Sequence, residues 1–136
     1  MPRSRRTCHA VPGSSERFIA KAVGLEADEI FLDLEDAVAP NEKDAARARV
    51  IESLNTLDFG GKTVVVRVNG TDTPHYYRDL IAVVEGAGAR LDAVMLPKVR
   101  TPGDVEMTDK LLTQIERAVS SRAGSASRRR SRTRPG

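Results

Sequence analysis

The sequence predicts an α/β fold of four strand–helix units, built either as a small doubly wound parallel sheet or as the first half of a (βα)₈ barrel. Two observations predict this class. Short apolar stretches alternate with longer amphipathic ones in units of about 25–35 residues, which is typical of parallel strands joined by crossover helices. The strands are also almost continuously apolar, as expected for a sheet covered on both faces or for a barrel wall.

The first two units follow from turn and capping residues. Residues 7–11 are predicted as a short strand that ends at a Pro-Gly turn, and Ser14 or Ser15 is suited to cap the helix that follows. The second strand is the apolar segment 29–34, which charged residues bound on both sides. A Pro-Asn pair then opens a helix over residues 42–55, whose apolar residues recur at helical spacing on one side.

The last two units contain the strongest strand of the chain. The run TVVVRV at residues 63–68 is rich in β-branched residues, and an Asn-Gly pair ends it. The third helix starts near Thr73, and its apolar face is predicted to carry Tyr77, Leu80, Ile81, Val84 and Ala87. Residues 93–96 form the fourth strand, which a proline stops, and the fourth helix is predicted over residues 101–119.

Charge is distributed unevenly along the 136 residues, a length that suits one domain. Residues 1–116 carry 15 basic and 19 acidic side chains, whereas residues 117–136 carry seven arginines and no acid. The net charge of +3 therefore describes the tail and not the body. A single cysteine excludes an internal disulfide and a cysteine-based zinc site. No membrane span or signal peptide is recognisable, so a cytoplasmic location is expected.

Polar residues follow the predicted strands at the ends where parallel α/β folds carry their chemistry. Asp33, Glu35 and Asp36 come directly after the second strand and would repel one another unless a cation neutralised them. They indicate either a Mg²⁺ site with its water shell or helix-capping and solvated loop acids. Arg67 interrupts the third strand, and it is either a clamp for a carboxylate or enolate oxygen or the partner of these acids in a structural ion pair.

Two further positions carry cations near strand ends. Ser14 opens the first helix, and Arg17 and Lys21 lie one turn apart on it. A helix N-terminus with cations suits a phosphate or diphosphate, although an ordinary capped helix with a solvated basic edge gives the same pattern. Lys98 follows the fourth strand and is either a Schiff-base lysine or a surface lysine.

Four linked motifs resemble one known family: VPGSSERFIAKA, FLDLEDAVAP, VVVRVNG and LDAVMLPKV. In this order and at this spacing they resemble the citrate lyase beta subunit-like family, in particular its malyl-CoA/β-methylmalyl-CoA lyase type, over residues 6–120. The resemblance implies a TIM barrel, of which this chain holds the first four βα units, and a trimeric or hexameric assembly. It also implies Mg²⁺-dependent retro-aldol cleavage of a 3-hydroxyacyl-CoA, such as malyl-CoA to acetyl-CoA and glyoxylate.

The resemblance assigns roles to individual residues. Arg67 corresponds to the catalytic, substrate-clamping arginine, and Glu35 and Asp36 match an acidic cluster near the metal and its waters. The implied CoA or substrate contacts on the first loop and helix are Lys21, Ser14 and Arg17. The direct metal ligands of the family are a glutamate after the fifth strand and an aspartate after the sixth. Both are expected to be missing from this chain, which is therefore expected to be inactive.

Residues 121–136 form an Arg/Ser-rich segment that is expected to be a disordered basic tail. As an alternative, the chain is a non-enzymatic α/β module that binds nucleic acid through this tail. A third interpretation is a frameshift. With permitted codons for residues 123–136, reading from one base earlier gives GRIGIEAQIEDAPG, which resembles the family's fifth strand and its metal-binding glutamate. We therefore expect a domain over residues 1–120 followed by frameshifted sequence.

Overall fold

A computed structural model describes residues 8–25, 27–99, 101–123 and 132–135 of the chain. Its strands form one parallel sheet and are β1 (Cys8–Pro12), β2 (Glu29–Asp33), β3 (Thr63–Arg67), β4 (Ala93–Leu96) and β5 (Arg132–Pro135). Its α-helices are α1 (Glu16–Val23), α2 (Lys43–Thr56), α3 (Tyr76–Ala87) and α4 (Pro102–Ala123). Short 3₁₀ turns at Pro40–Glu42 and Gly88–Arg90 precede α2 and follow α3.

The order of the strands decides between the two architectures that the alternation allows. The strands lie side by side in chain order, from β1 to β5, and every neighbouring pair is parallel. Successive right-handed crossovers in one direction bring all the connecting helices to the same face of the sheet. A doubly wound sheet would instead reverse its strand order and carry helices on both faces. The prediction of the first βα units of a barrel is therefore confirmed.

The core lies between the sheet and its helices. Alternate strand residues point into it and are buried: Ile30, Leu32, Val64, Val66, Val94 and Leu96. The helices meet them with apolar side chains that include Ile19, Val50, Leu54, Leu80, Val84 and Leu112. Two residues predicted on the apolar face of α3 lie outside this core, because Tyr77 and Ile81 are 49% and 40% exposed. The helix instead turns Tyr76 and Val83 inward, so its buried stripe is rotated by part of a turn from the predicted one.

Two parts of the expected tail form regular structure. Helix α4 continues to Ala123, and Arg132–Pro135 pair with β4 in a parallel register that sets Ala93 opposite Arg132 and Leu96 opposite Pro135. The expectation of disorder therefore does not describe residues 132–135. Strand β4 would otherwise present unpaired backbone groups, and an outer strand tolerates a proline at its end. Residues 124–131 lie outside the described residues.

The described helices also bear on the membrane question. None of them, within the parts of the chain that the structure covers, combines the length and apolarity needed to cross a bilayer.

Candidate functional site

The register of the sheet places the predicted polar residues side by side at the carboxyl ends of the strands. Pro12 lies opposite Asp33, Asp33 opposite Arg67, and Arg67 opposite Met95. The carboxyl ends of β1 to β4 therefore form one edge. The loops that leave β2, β3 and β4 enclose a cleft of about 570 Å³ at this edge, and its lining includes Glu35, Asn69 and Lys98.

A bidentate ion pair between Arg67 and Asp33 joins β2 and β3 at this edge. Arg67 donates from Nε to Oδ1 of Asp33 at 2.9 Å and from Nη2 to Oδ2 at 2.8 Å. The Asp33 side chain is 4% exposed and that of Arg67 is 23% exposed. The guanidinium also lies over the ring of Phe31, 5.5 Å from its centroid. The structural alternative for Arg67, an ion pair with the acids, is thus present, and it fixes the plane of a guanidinium that still reaches the surface.

The backbone after β2 wraps around the same carboxylate. The N–H of Glu35 donates to Oδ1 of Asp33 at 2.9 Å, and the N–H of Ala37 donates to Oδ2 at 3.0 Å. Burial would raise the pKa of Asp33, but the bonds from Arg67 and from these two N–H groups outweigh it and lower the pKa below its usual value. The bond to Asp33 likewise raises the pKa of Arg67. Both groups are therefore held in their charged forms.

Glu35 lies between two cations at longer distances. Its Oε1 is 3.8 Å from Nη2 of Arg67, and its Oε2 is 3.4 Å from Nζ of Lys98. Lys43 stabilises the loop after β2, because its Nζ donates to the carbonyls of Leu34 at 3.0 Å and of Glu35 at 2.9 Å. The structure therefore brings together Arg67 and Glu35 as predicted, and it adds Lys98 to them.

Two residues of this region have less usual surroundings. Asp36 is exposed, and its N–H donates to Oε1 of Glu35 at 3.1 Å. Lys98 has φ of +50°, the left-handed region that side chains other than glycine seldom adopt. The Lys98 side chain is 71% exposed. It lies in an open, polar position, which does not supply the desolvation that a neutral Schiff-base lysine needs.

A buried polar network holds the loop after β3. Asp79 on α3 is fully buried and accepts bonds from the backbone and the side-chain amide of Asn69. Its other oxygen accepts from Nε of Arg47 at 2.8 Å. Sequence reasoning passed over both Asp79 and Arg47. The available indication was an acidic residue one position before Leu80, on the side of α3 that is otherwise apolar.

The first loop packs tightly against the end of β2. The N–H of Gly13 donates to the carbonyl of Asp33 at 2.7 Å, and Nη1 of Arg49 donates to the carbonyl of Ser14 at 2.8 Å. A Cβ on Gly13 would lie 2.8 Å from that Asp33 oxygen and 2.9 Å from Cγ2 of Val50, so only glycine fits this position. This close approach was not recognised from the sequence.

The predicted CoA-contacting residues lie along α1. Ser15 caps the helix by accepting a bond from the N–H of Phe18 at 3.2 Å. Arg17 and Lys21 are exposed, and Ser14 is half-buried at the carboxyl end of β1. In the described part of the chain neither Arg17 nor Lys21 forms an ion pair with Asp33 or Glu35, whose cation partners are Arg67 and Lys98. The structure therefore places this group beside the Asp33–Arg67 edge without bringing it into the ion-pair cluster.

The acidic residues do not form a complete metal site. Among the described residues, no group of three or more His, Cys, Asp or Glu side chains is arranged to hold a metal ion. Both oxygens of Asp33 are already engaged by Arg67 and by backbone N–H groups. Glu35 and Asp36 remain as carboxylates that line the cleft.

The curated relatives of this chain include two different lyases. The chain is 51% identical over 107 residues to an L-malyl-CoA/beta-methylmalyl-CoA lyase of Cereibacter sphaeroides, covering 79% of this chain and 34% of the relative. It is 44% identical over 115 residues to a citrate lyase subunit beta of Leuconostoc mesenteroides, covering 85% and 37%. The chain thus spans about a third of the length of the curated relatives that it matches.

A solved structure and a family model agree with these relatives. The fold is similar, with a TM-score of 0.60 and 34% identity, to a citrate lyase beta subunit from Mycobacterium tuberculosis complexed with oxaloacetate and magnesium, covering 74% of this chain and 41% of that one. The model of the HpcH/HpaI aldolase/citrate lyase family matches residues 6–127. This match takes in the strand ends that carry Asp33, Glu35, Arg67 and Lys98. The chain therefore belongs to the HpcH/HpaI aldolase/citrate lyase family.

Proposed function

We propose that this chain forms the substrate-clamping part of a Mg²⁺-dependent lyase that cleaves a carbon–carbon bond in a 3-hydroxyacyl-CoA such as malyl-CoA. The observation that carries the proposal is the guanidinium of Arg67, which Asp33 fixes at the carboxyl edge of a barrel-type sheet. The 51% identity to an L-malyl-CoA/beta-methylmalyl-CoA lyase supports this choice of substrate class.

The reaction that we propose is a retro-aldol cleavage. The hydroxyl group of the malyl unit loses its proton and becomes the carbonyl of glyoxylate. The bond between the hydroxyl-bearing carbon and the carbon next to the thioester carbonyl breaks, and its electron pair forms the acetyl-CoA enolate, which then takes up a proton. Negative charge therefore develops on an oxygen at each stage, and a site for this reaction needs fixed positive charge close to those oxygens.

Arg67 supplies such a charge without having to reorganise. Its Nε and Nη2 are bound to Asp33, and no described residue accepts a hydrogen bond from its Nη1. We infer that Nη1 donates to the carboxylate or carbonyl oxygen of the glyoxylate unit. Asp33 then acts as a positioning residue, because it holds the guanidinium plane and keeps the arginine in place when the substrate leaves.

We propose magnesium because of the relatives, and not because the described residues form a set of ligands for it. When bound, the ion supplies Lewis-acid polarisation of the substrate oxygen. Glu35 and Asp36 are proposed to accept hydrogen bonds from its waters. The direct ligands are proposed to lie on later βα units, so that the 136 residues on their own are expected to give no turnover.

A chimera tests the proposal with its missing units supplied. Residues 6–120 of this chain would replace the matching segment of the Cereibacter sphaeroides lyase, and glyoxylate released from malyl-CoA would be measured with and without Mg²⁺. We expect Mg²⁺-dependent cleavage that Arg67→Gln lowers by about 100-fold or more, as for the loss of a donor to a developing oxyanion. Arg90→Gln, at an exposed arginine beyond α3, is the control and should leave the rate unchanged. A folded chimera without cleavage, or one indifferent to Arg67→Gln, would refute the proposal.

We propose separately that residues 121–136 are read out of frame. The support is the absence of acidic residues after Glu116 and the strand-like sequence GRIGIEAQIEDAPG, which a one-base shift gives when suitable permitted codons are chosen for residues 123–136. Sequencing the gene through codons 115–140 and beyond the stop is the test. A one-base correction that opens about 130–200 further codons would fit a whole barrel, and codons that encode no such strand in a neighbouring frame would dismiss the idea.

Assembly and location also remain proposals. We propose a trimer or hexamer for the whole protein and a cytoplasmic location. Light scattering on the whole protein and cell fractionation would measure these properties.

A further inference from the structure

We propose that Lys98 is a second anion-binding residue of the cleft, and that an incoming substrate carboxylate replaces Glu35 between Lys98 and Arg67. This inference rests on the proposed function, because it takes a small oxo-acid carboxylate as the ligand. It goes beyond that function in two ways. Lys98 becomes a residue that binds the substrate, and Glu35 becomes a carboxylate that occupies the binding position until the substrate replaces it.

Distances separate a permanent ion pair from an exchangeable one. The two bonds between Arg67 and Asp33 measure 2.8 and 2.9 Å, the usual range for charge-assisted hydrogen bonds. Glu35 is farther from both of its cations, at 3.8 Å from Arg67 and 3.4 Å from Lys98. The Glu35 carboxylate is therefore held only at long range by the two positive groups, one at each oxygen, and its shorter contact is the bond that Oε1 accepts from the N–H of Asp36 at 3.1 Å. An incoming carboxylate of the same shape would replace the two long contacts to the cations.

The other cation of this edge is already engaged. Both bonds of the Lys43 ammonium that the structure shows go to the backbone carbonyls of Leu34 and Glu35, so it stabilises the loop. Lys98, by contrast, has a side chain that is 71% exposed in the cleft, and Glu35 is its one ion-pair partner within the described residues. An anion that enters the cleft therefore has one described carboxylate, that of Glu35, to replace at Lys98.

The backbone of Lys98 supports a specific placement. Its φ of +50° is unfavourable for a residue with a side chain, and such conformations concentrate at ligand-binding sites. Glycine would suit a turn of this kind better, so the presence of lysine indicates a use for the ammonium group. That use is consistent with its contact to Oε2 of Glu35 across the edge.

Direct binding of oxaloacetate to the 136-residue chain tests the inference without turnover. Calorimetric titration at low salt, with a chelator present, would compare the parent chain with Lys98→Gln, Lys98→Arg and Glu35→Gln. We expect Lys98→Gln to weaken binding about fivefold and Lys98→Arg to restore it, as for the loss and return of one exposed charge contact. Glu35→Gln removes the competing carboxylate and should tighten binding severalfold. Thermal melts would check that each variant is folded.

A matched control is available on α4. Lys110 also lies 3.4 Å from a glutamate, Glu106, and its side chain is 73% exposed. Lys110→Gln should leave oxaloacetate binding unchanged. No binding to the parent chain, equal affinity of Lys98→Gln, or weakening by Glu35→Gln would each overturn the inference. Tighter binding of inorganic phosphate through Lys98 would overturn the carboxylate assignment.

The two proposals can fail separately. If Lys98→Gln weakens oxaloacetate binding but the chimera cleaves no malyl-CoA, the anion site is supported and the lyase function is refuted. If the chimera is active while Lys98→Gln binds oxaloacetate as the parent does, the lyase function stands and the role of Lys98 falls.

Discussion

The two faces of the sheet are made by alternate residues of the same strands, yet they differ in burial and charge. On the face that meets the helices, Leu32 and Val66 are completely buried in an apolar core. On the other face Phe31, Arg67 and Met95 are half-buried, although Val65 and Ala93 on the same face are buried. The charged pair lies only at the last position of this second face, where Arg67 meets Asp33.

This difference separates stability from chemistry within single strands. Leu32 and Asp33 are neighbours in β2, but one contributes apolar burial and the other fixes a guanidinium. A change on the helix-covered face should therefore act on the free energy of unfolding. A change at the carboxyl end of the open face should act mainly on ligand binding, except where a buried charge is left without its partner.

Truncation of the helix-covered face should give the largest loss of stability. Leu32→Ala is expected to lower the free energy of unfolding by about 2–5 kcal/mol, because it removes buried methyl groups and leaves a cavity. Met95→Ala, on the open face, is the control and should cost clearly less, since that side chain is already partly solvated. Urea denaturation of both variants measures the difference. Equal losses would mean that the open face is packed as tightly as the core.

Much of this arrangement could be predicted from the sequence. The β-branched run of β3 and the apolar segment of β2 located both strands to within one residue of their ends. The rule that parallel strands share a carboxyl edge placed Asp33, Glu35 and Arg67 together. What it could not give was the partner, because the choice of Asp33 over Glu35 depends on the register that sets Asp33 opposite Arg67.

Other features depend on tertiary contacts that leave no local pattern. Lys43 binds carbonyls eight and nine residues earlier in the chain, and Asp79 joins two helices and a loop. The left-handed backbone conformation of Lys98 could not be predicted, because lysine seldom adopts it. Strand β5 was missed because its sequence, Arg-Thr-Arg-Pro, has little of the apolar character that marks the other strands.

Loss of the Asp33 charge should lower the free energy of unfolding by less than the Leu32→Ala truncation does, and the size of this loss should depend on pH. Asp33→Asn is expected to lower the free energy of unfolding by about 1.5–3 kcal/mol at pH 7, because a charged acceptor is removed from Arg67. The pKa of Asp33 is lowered in the folded chain, so its stabilisation is complete above the unfolded-state pKa and is lost as pH falls through the folded value.

The difference between the parent chain and Asp33→Asn should therefore shrink below about pH 4. Urea denaturation of both proteins between pH 7 and pH 3 measures it. A difference that stayed constant over this interval would show that Asp33 contributes by shape and not by charge.

A substitution that crowds the first loop should lower the free energy of unfolding somewhat less than the loss of the Asp33 charge does. Gly13→Ala places a methyl group within 3 Å of the Asp33 carbonyl and of Val50, and relief of this contact is expected to cost about 1–3 kcal/mol. Gly61→Ala is the matched control, because no atom lies within 4 Å of its added Cβ. Thermal melts should separate the two variants. A Gly13→Ala protein as stable as Gly61→Ala would indicate that the loop can move away from β2.

The smallest effect distinguishes two adjacent serines, both of which the sequence allows as the cap of α1. Ser15 accepts the N–H of Phe18, so Ser15→Ala should cost about 1 kcal/mol of stability. Ser14 contacts Arg49 through its backbone carbonyl, which alanine retains, so Ser14→Ala should leave the melting temperature unchanged. If Ser14 is a CoA or substrate contact, as the resemblance implies, the same variant should weaken CoA binding without loss of stability. A destabilised Ser14→Ala protein would assign that hydroxyl to the fold and count against a CoA contact.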